Sequence, residues 1–367
     1  MYRIFTVNPG STSTKIALFE DDRCVFSRNI LHKSSELSEF SHVSEQLPYR
    51  MKVINETIAD AGISLENIDA FVGRGGGVYS MQGGTYTIDE TLISDTIAMV
   101  AGIEHPANLG SLIAKELQNQ YGGEAYIVNP PTVDEFQDLA RVTGLKGIYR
   151  KSNLHALNLK ETAIRHAESL GRDYEDCSFI VCHIGGGISV SAHKNGSMID
   201  GNDIAGGDGP MTPTRCGTIA ASDVIRLCFS GNYTEKELLN KTIKDGGYVD
   251  IFGTSDAKEV SDLALRGNPK AKLYWEGMLY QIQKYIGSMA AVLSGKVDGI
   301  LLGGSMVRDK TLVESIENSC GFIAPVTAYP GEFEMEAMAA GAVRVLSGVE
   351  TAKRYTGKPT WGGFIFQ

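Results

Sequence analysis

The sequence predicts an α/β protein of two duplicated domains, each opening on a β-hairpin, with a small-molecule cleft between them. Three observations carry this reading. At 367 residues the chain exceeds one ordinary core, and roughly 150 residues per domain suggests two. The opening IFTVNPGSTSTKIALFEDD returns as FIVCHIGGGISVSAHKNG, the copies starting at Ile4 and Phe179, close to half the chain apart. Each copy runs an apolar strand into a turn of small residues and back into an alternating strand. Glycine is also in excess, 42 residues, clustered where backbone must turn tightly or approach a ligand closely.

Taken in order, Tyr2–Val7 is rich in strand formers, Asn8–Ser13 has turn chemistry and Lys15–Phe19 resumes as a strand. A strand ending near Phe71–Gly73 leads into the loop Gly75–Gly77. Helical periodicity follows at Glu90–Val100 and Gly110–Tyr121, with a short buried strand at Tyr126–Asn129 and an amphipathic helix over Asn153–Leu170. The repeat then gives strands Ser178–His183 and Ser189–His193, and a K-N-G turn into Met198–Ile199. Gly206–Gly217 is too rich in glycine and proline for a helix. Helices are expected at Ser222–Phe229, Thr234–Lys244, Ala257–Leu265 and Lys272–Ser294. The strand Asp298–Leu302 precedes the last helix, Glu334–Leu346.

Composition narrows the function classes. Apolar content of 43% with 21% charged residues excludes a largely disordered chain. Lys+Arg 34 against Asp+Glu 44, net −10, argues against non-specific nucleic-acid binding, which needs a basic face. No run approaches the 18 or so apolar residues of a membrane span, and MYRIFTVNPGS lacks a signal-peptide core. Six cysteines without a C-x-x-C pair read as reduced thiols, so a cytoplasmic protein is expected.

Three segments carry chemistry. Asn8-Pro-Gly-Ser-Thr-Ser-Thr-Lys15 sets hydroxyls, backbone N–H groups and a lysine around one tight turn, a place for an anion; it lacks the spacing of a P-loop. His183-Ile-Gly-Gly-Gly187 and Gly303-Gly304-Ser305 are further glycine turns after apolar strands. Ile188–Ala192 alternates as a strand, which excludes a dinucleotide fingerprint. Arg74 lies among glycines, His105 precedes a proline, and Arg215 sits in T-P-T-R-C-G. An arginine there has few aliphatic neighbours for its stem to cover, so a surface ion pair explains its position poorly, although each residue alone is equally compatible with a structural role. The seven histidines show no metal-ligand spacing, and any metal is expected to be a hard ion held by carboxylate and phosphate, Mg²⁺.

These residues resemble the acetate kinase family, within the superfamily of acetate and sugar kinases, heat-shock ATPases and actin. N-x-G-S-x-S-x-K, H-x-G-x-G, T-R-C-G and a late L-x-G-G carry the likeness. The run Gly73 to Tyr86, R-K-S-N-L-H (Arg150 to His155), Gly206 to Arg215 and Y-P-G-E-x-E-M-E-A (Tyr329 to Ala337) look most like its butyrate kinase group. The resemblance implies two ribonuclease-H-like (actin-like ATPase) domains with a nucleotide cleft between them. These would be 1–146, with 335–367 packing back on it, and 147–334. It implies ATP/ADP, Mg²⁺, a short-chain carboxylic acid as acceptor, and a homodimer.

Carried over residue by residue, Asn8, Ser11, Ser13 and Lys15 match the first phosphate loop. The second, His183 to Ser189, includes Gly185, Gly186 and Gly187; Gly303 and Gly304 match the adenosine-contacting turn. Arg74 and Arg215 match arginines that embrace carboxylate and phosphoryl, and His105 and His155 match imidazoles on the phosphoryl oxygens. Glu334, with Glu332 as runner-up, matches the carboxylate near Mg²⁺, beside Asn8. Gly76, Leu154 and Gly206 stand where acetate kinases carry bulkier residues near the acid, which implies room for butyrate and four- or five-carbon, including branched, acids. Asn129 departs from the family's aspartate, with Asp134 or Glu135 as possible substitutes. Acetate or propionate kinase, a sugar kinase, or an actin- or chaperone-like ATPase are the alternatives.

Overall fold

The structure, a computed structural model, describes residues 1–102 and 104–364. The chain divides into two compact units, Met1–Asp134 with Phe333–Gln367, and Glu135–Glu332. The boundary expected at 146 thus falls at Asp134, and the segment after it belongs to the second unit. Lys160 Nζ donates to both Glu135 carboxylate oxygens at 2.8 and 2.9 Å, and the Gln137 N–H donates to Ile199 O.

The first unit holds a six-stranded sheet in the order β3-β2-β1-β4-β6-β5. Its strands are β1 (Arg3–Pro9), β2 (Ser13–Glu20), β3 (Arg23–Leu31), β4 (Ala70–Gly73), β5 (Thr85–Thr87) and β6 (Glu124–Val128). β1 and β2 form the expected hairpin with Asn8 opposite Lys15, and β4 runs parallel to β1. Phe5 and Val7 face a core shared with Met51, Ile54 and Ile58 of the helix Leu47–Asp60 and Ile113 and Leu117 of the helix Leu109–Tyr121. Spacing of three to four residues puts those side chains on one face of each helix. The helix Glu334–Leu346 packs against β1, β4 and β6.

In the second unit the order is β11-β10-β7-β8-β9. The strands are β7 (Ser178–Ile184), β8 (Ile188–Lys194), β9 (Ser197–Gly201), β10 (Gly299–Gly304) and β11 (Val326–Pro330). Asn195 and Gly196 both have positive φ, 50° and 71°, as a two-residue hairpin turn between right-twisted strands requires. The core lies between this sheet and Met278, Ile282, Ile286 and Met289 of the helix Pro269–Val292, whose first turn is capped by Asn268.

The duplication read from sequence is present as topology. Each unit has three antiparallel strands followed by two parallel ones: β3-β2-β1-β4-β6 in the first, β9-β8-β7-β10-β11 in the second. The sequence reading passed over β3, β5, β11 and the helices Leu47–Asp60 and Lys310–Cys320. The helix expected from Asn153 begins at Ala156, which leaves His155 just ahead of it. Among the described residues no helix is long and apolar enough to cross a membrane, and the six cysteines are free thiols.

Candidate active site

In the first unit the site forms at the C-terminal ends of β1 and β4, where ligands collect in open α/β sheets. Asn8 Nδ2 donates to Glu334 Oε2 at 2.5 Å, and Glu334 opens its helix. Arg74 follows β4 and is only 6% exposed. Its Nε lies 3.8 Å from Glu334 Oε1, and its Nη1 donates to Asn129 O at 3.5 Å. Burial pushes this guanidinium below its ordinary pKa, against the opposing pull of Glu334. A Cβ on Gly73 would land on the Gly110 carbonyl, and one on Gly110 would land on the Arg74 backbone. That backbone-on-backbone contact seats the arginine loop against the turn that carries His105.

His105 caps the turn Pro106–Asn108, its Nδ1 accepting the Ala107 N–H at 3.1 Å. The neutral ring therefore carries its proton on Nε2 and presents a donor. Desolvation and the guanidiniums of Arg74 and Arg50 push its pKa down, so that neutral form prevails at pH 7. Ser11 and Lys15 are exposed and Ser13 half-buried around the β1–β2 turn, where the Gly10 N–H donates to Ser13 O at 2.7 Å.

Within the second unit, His183 and Ser189 face each other across the glycine turn. His155 Nδ1 is 2.8 Å from Ser189 Oγ, and its ring stacks on His183 at 4.1 Å between centroids. Thr212 and Thr214 hydroxyls both donate to Gly186 O, at 2.8 and 2.9 Å, which ties the T-P-T-R loop to the turn. Arg215 lies on Gly187: a Cβ there would fall on its Nη1. Arg215 Nε donates to Ile243 O at 3.2 Å, whereas its buried Nη1 has no hydrogen-bond partner among the described residues. Burial lowers this guanidinium's pKa.

A cavity of about 660 Å³ in the same unit is lined by Gly186, Pro213, Asp256, Trp275, Ser305 and Arg308 among others, a size that suits a nucleoside. Gly303 and Gly304 stop short of it. Gly304, at φ 105°, lets β10 approach Ile184, and the next residues, Ser305 and Met306, line the cavity. Asp256, Trp275 and Arg308 were passed over because they come from separate segments that share no motif.

The residues expected near the acid each have a close neighbour. Asn108 occupies the space a side chain at Gly76 would take. Leu154 is fully buried against Gly201. Gly206 sits under Asp203, whose Oδ1 accepts the Ala205 and Gly206 N–H groups, both at 2.9 Å.

Asn129, at φ 40°, accepts the Gly84 N–H on Oδ1 at 2.7 Å and so shapes the loop beside Arg74. Glu135 is held within the second unit by Lys160 and the Met198 N–H. Glu332 also belongs to that unit, where a Cβ on Gly185 would approach His183, Ser305 and Glu332. Among the described residues no three His, Cys, Asp or Glu side chains cluster as a ready-made metal site. Asn8 and Glu334 offer one amide and one carboxylate, which fits a Mg²⁺ that keeps most of its waters and takes phosphate oxygens.

Residues 142–318 match the acetokinase family model. The chain is 47% identical over 354 residues, 96% of its length and 99% of the other protein's, to butyrate kinase 2 of Clostridium acetobutylicum. Butyrate kinase 1 of that organism is 41% identical over 97% of this chain and 100% of its own length. Among solved structures, the acetate kinase of Porphyromonas gingivalis superposes with a TM-score of 0.77, covering 95% of this chain and 100% of that one at 21% identity. The propionate kinase of Francisella tularensis gives 0.73 at 18% identity over 93% and 99%. At such identities the structures speak for the fold.

Proposed function

Because the chain belongs to the acetokinase family, we propose that it transfers the γ-phosphoryl group of ATP reversibly to the carboxylate of a short-chain fatty acid. Butyrate and other four- or five-carbon acids are the acceptors, and acyl phosphate and ADP the products. One observation carries the reading: the buried Nη1 of half-buried Arg215 has no hydrogen-bond partner among the described residues, while in the other unit buried Arg74 has only Glu334 at 3.8 Å as its ion-pair partner. A buried guanidinium N–H without an acceptor bears its desolvation uncompensated, so Arg215 awaits an anion.

A carboxylate is already ionised at pH 7 and needs no general base. The work is placement and charge stabilisation around a loose phosphoryl centre. Arg74 forks onto the acid, and neutral His105 donates Nε2–H to a phosphoryl oxygen. In the second unit the turn Gly185–Gly187 offers backbone N–H groups to the β- and γ-phosphates, while Arg215 Nη1 and the His155–His183 pair take the transferring group. The base and ribose occupy the 660 Å³ cavity. Asn8 and Glu334 are the residues that would hold Mg²⁺, which would supply charge neutralisation at the phosphates.

We place the enzyme in the cytoplasm, with its six thiols reduced. We propose that it assembles as a homodimer, and light scattering at twice the 39.6 kDa chain mass is the expected result.

The test is acyl-phosphate formation from ATP and Mg²⁺, trapped with hydroxylamine, across acetate, propionate, butyrate, isobutyrate and valerate. A maximum at four or five carbons that disappears in Arg74→Ala is expected. No hydroxamate with any acid, despite ATP binding, would overturn the reading.

A further inference from the structure

Arg50 lies on the helix Leu47–Asp60 and is wholly buried. Its Nη2 donates to Gly10 O at 2.9 Å and its Nη1 to Ser13 O at 3.2 Å and Thr14 Oγ1 at 2.8 Å. On the far side, Nε and Nη2 donate to Gln46 Oε1 at 3.1 and 2.9 Å. Every acceptor is neutral. Burial pushes the guanidinium down to about 10, which leaves it charged at neutral pH. Arginine normally enters a protein interior beside a carboxylate, because the cost of removing the ion from water otherwise goes unmatched.

The acceptors are the two ends of the Asn8–Lys15 turn. A trans peptide is planar, so the N–H of Ser11 points away from the Gly10 carbonyl that Arg50 holds. Drawing that carbonyl inward turns the N–H outward. His32 braces the same place, with Nε2 2.8 Å from Thr14 Oγ1 and its N–H donating to Thr12 O. The field of Arg50 is felt at His105 together with that of Arg74, and Glu334 is the carboxylate that opposes them there.

We propose that Arg50 is a positioning residue of the phosphoryl-transfer site. It aims the β1–β2 turn at an anion, and it supplies a buried positive charge whose counter-ion is the bound phosphate. This rests on the function proposed above, for which the wild-type hydroxamate assay is the separate check: wild-type failure sinks that reading, whereas the variants below address Arg50.

The decisive variant is Gln46→Glu, which places a carboxylate on Arg50 in nearly the same shape and leaves the hydrogen-bond fork in place. A purely structural arginine would then keep its activity and melt at the same temperature or higher. The positioning role instead predicts an unchanged or higher Tm with a roughly tenfold loss in kcat/KM for ATP. It also predicts a smaller rise in Tm on titration with inorganic phosphate. Arg50→Lys, which keeps charge without the fork, should lose about tenfold, and Arg50→Met about a hundredfold, in kcat/KM. Wild-type kinetics and a wild-type phosphate response in Gln46→Glu would overturn the proposal. That variant and Arg50→Lys keep the test open should Arg50→Met fail to fold.

Discussion

Adding one methyl group at Gly187 separates catalysis from stability. The new Cβ falls on Arg215 Nη1, the tip of a flexible side chain, so the guanidinium has to swing away while the backbone stays. Gly187 does not occupy the left-handed region, and alanine fits its backbone. Replacing glycine at a compatible site stabilises by roughly 0.4–1 kcal/mol through the unfolded chain. Losing the Arg215 Nε hydrogen bond to Ile243 O costs about 0.5–1.5 kcal/mol. The two nearly cancel, and Tm should move by less than about 4 °C. On the role proposed for Arg215, however, the transferring phosphoryl loses a preorganised donor, which should cost about 10²–10³ in kcat. The assays are the hydroxamate rate with saturating butyrate and ATP, and a thermal melt. A double mutant with Arg215→Ala should be no slower than Arg215→Ala alone, because both act through one group. Wild-type kcat in Gly187→Ala, or additive losses in the double mutant, would refute the reasoning.

Three further outcomes are expected. Asn108→Ala vacates the space beside Gly76 and should raise kcat/KM for valerate over butyrate by about tenfold in the hydroxamate assay, since a methylene is worth about 1–3 kcal/mol. Asn129→Ala loses the Gly84 tether and puts a less tolerant residue at φ 40°, which should lower stability by about 1–3 kcal/mol in urea unfolding. His193 is fully buried between Tyr174 OH, 2.7 Å from Nδ1, and Ser191 Oγ, 2.8 Å from Nε2. Burial and then Lys160 hold its pKa well below the usual 6.5. The unfolded chain therefore binds the extra proton first, and stability is full above about pH 6.5 and falls as pH drops toward the folded value. His193→Gln should flatten that acid limb in melts between pH 5 and 7.

What could be read from the sequence was whatever had a short period and a turn at its end. β1, β2, β7 and β8 combine apolar alternation with small-residue turns, and the helix Ala257–Leu265 matches its expected bounds. β3 escaped because most of its side chains face solvent and it has no buried stripe to betray it. Arg50 escaped for a related reason: in LPYRMKVINETIAD an arginine reads as the wet side of an amphipathic helix, and only the turn from Gly10 to Thr14 explains why it is inside. Asn108, which stands against Gly76 from thirty-odd residues away, is a neighbour that sequence distance hides. Asn8, Arg74, His105 and Glu334, by contrast, were named from motifs and do meet within the first unit.

The return of the chain to its first unit has a bearing on synthesis. Glu334, and the helix that packs on β1, β4 and β6, leave the ribosome only after the whole of the second unit. A nascent chain can thus complete its glycine turn and cavity early, yet it holds Asn8 without its carboxylate partner until translation is nearly done. The Asn8–Glu334 pair is assembled last-in, and a polypeptide interrupted before Phe333 carries the amino-terminal motifs without that carboxylate.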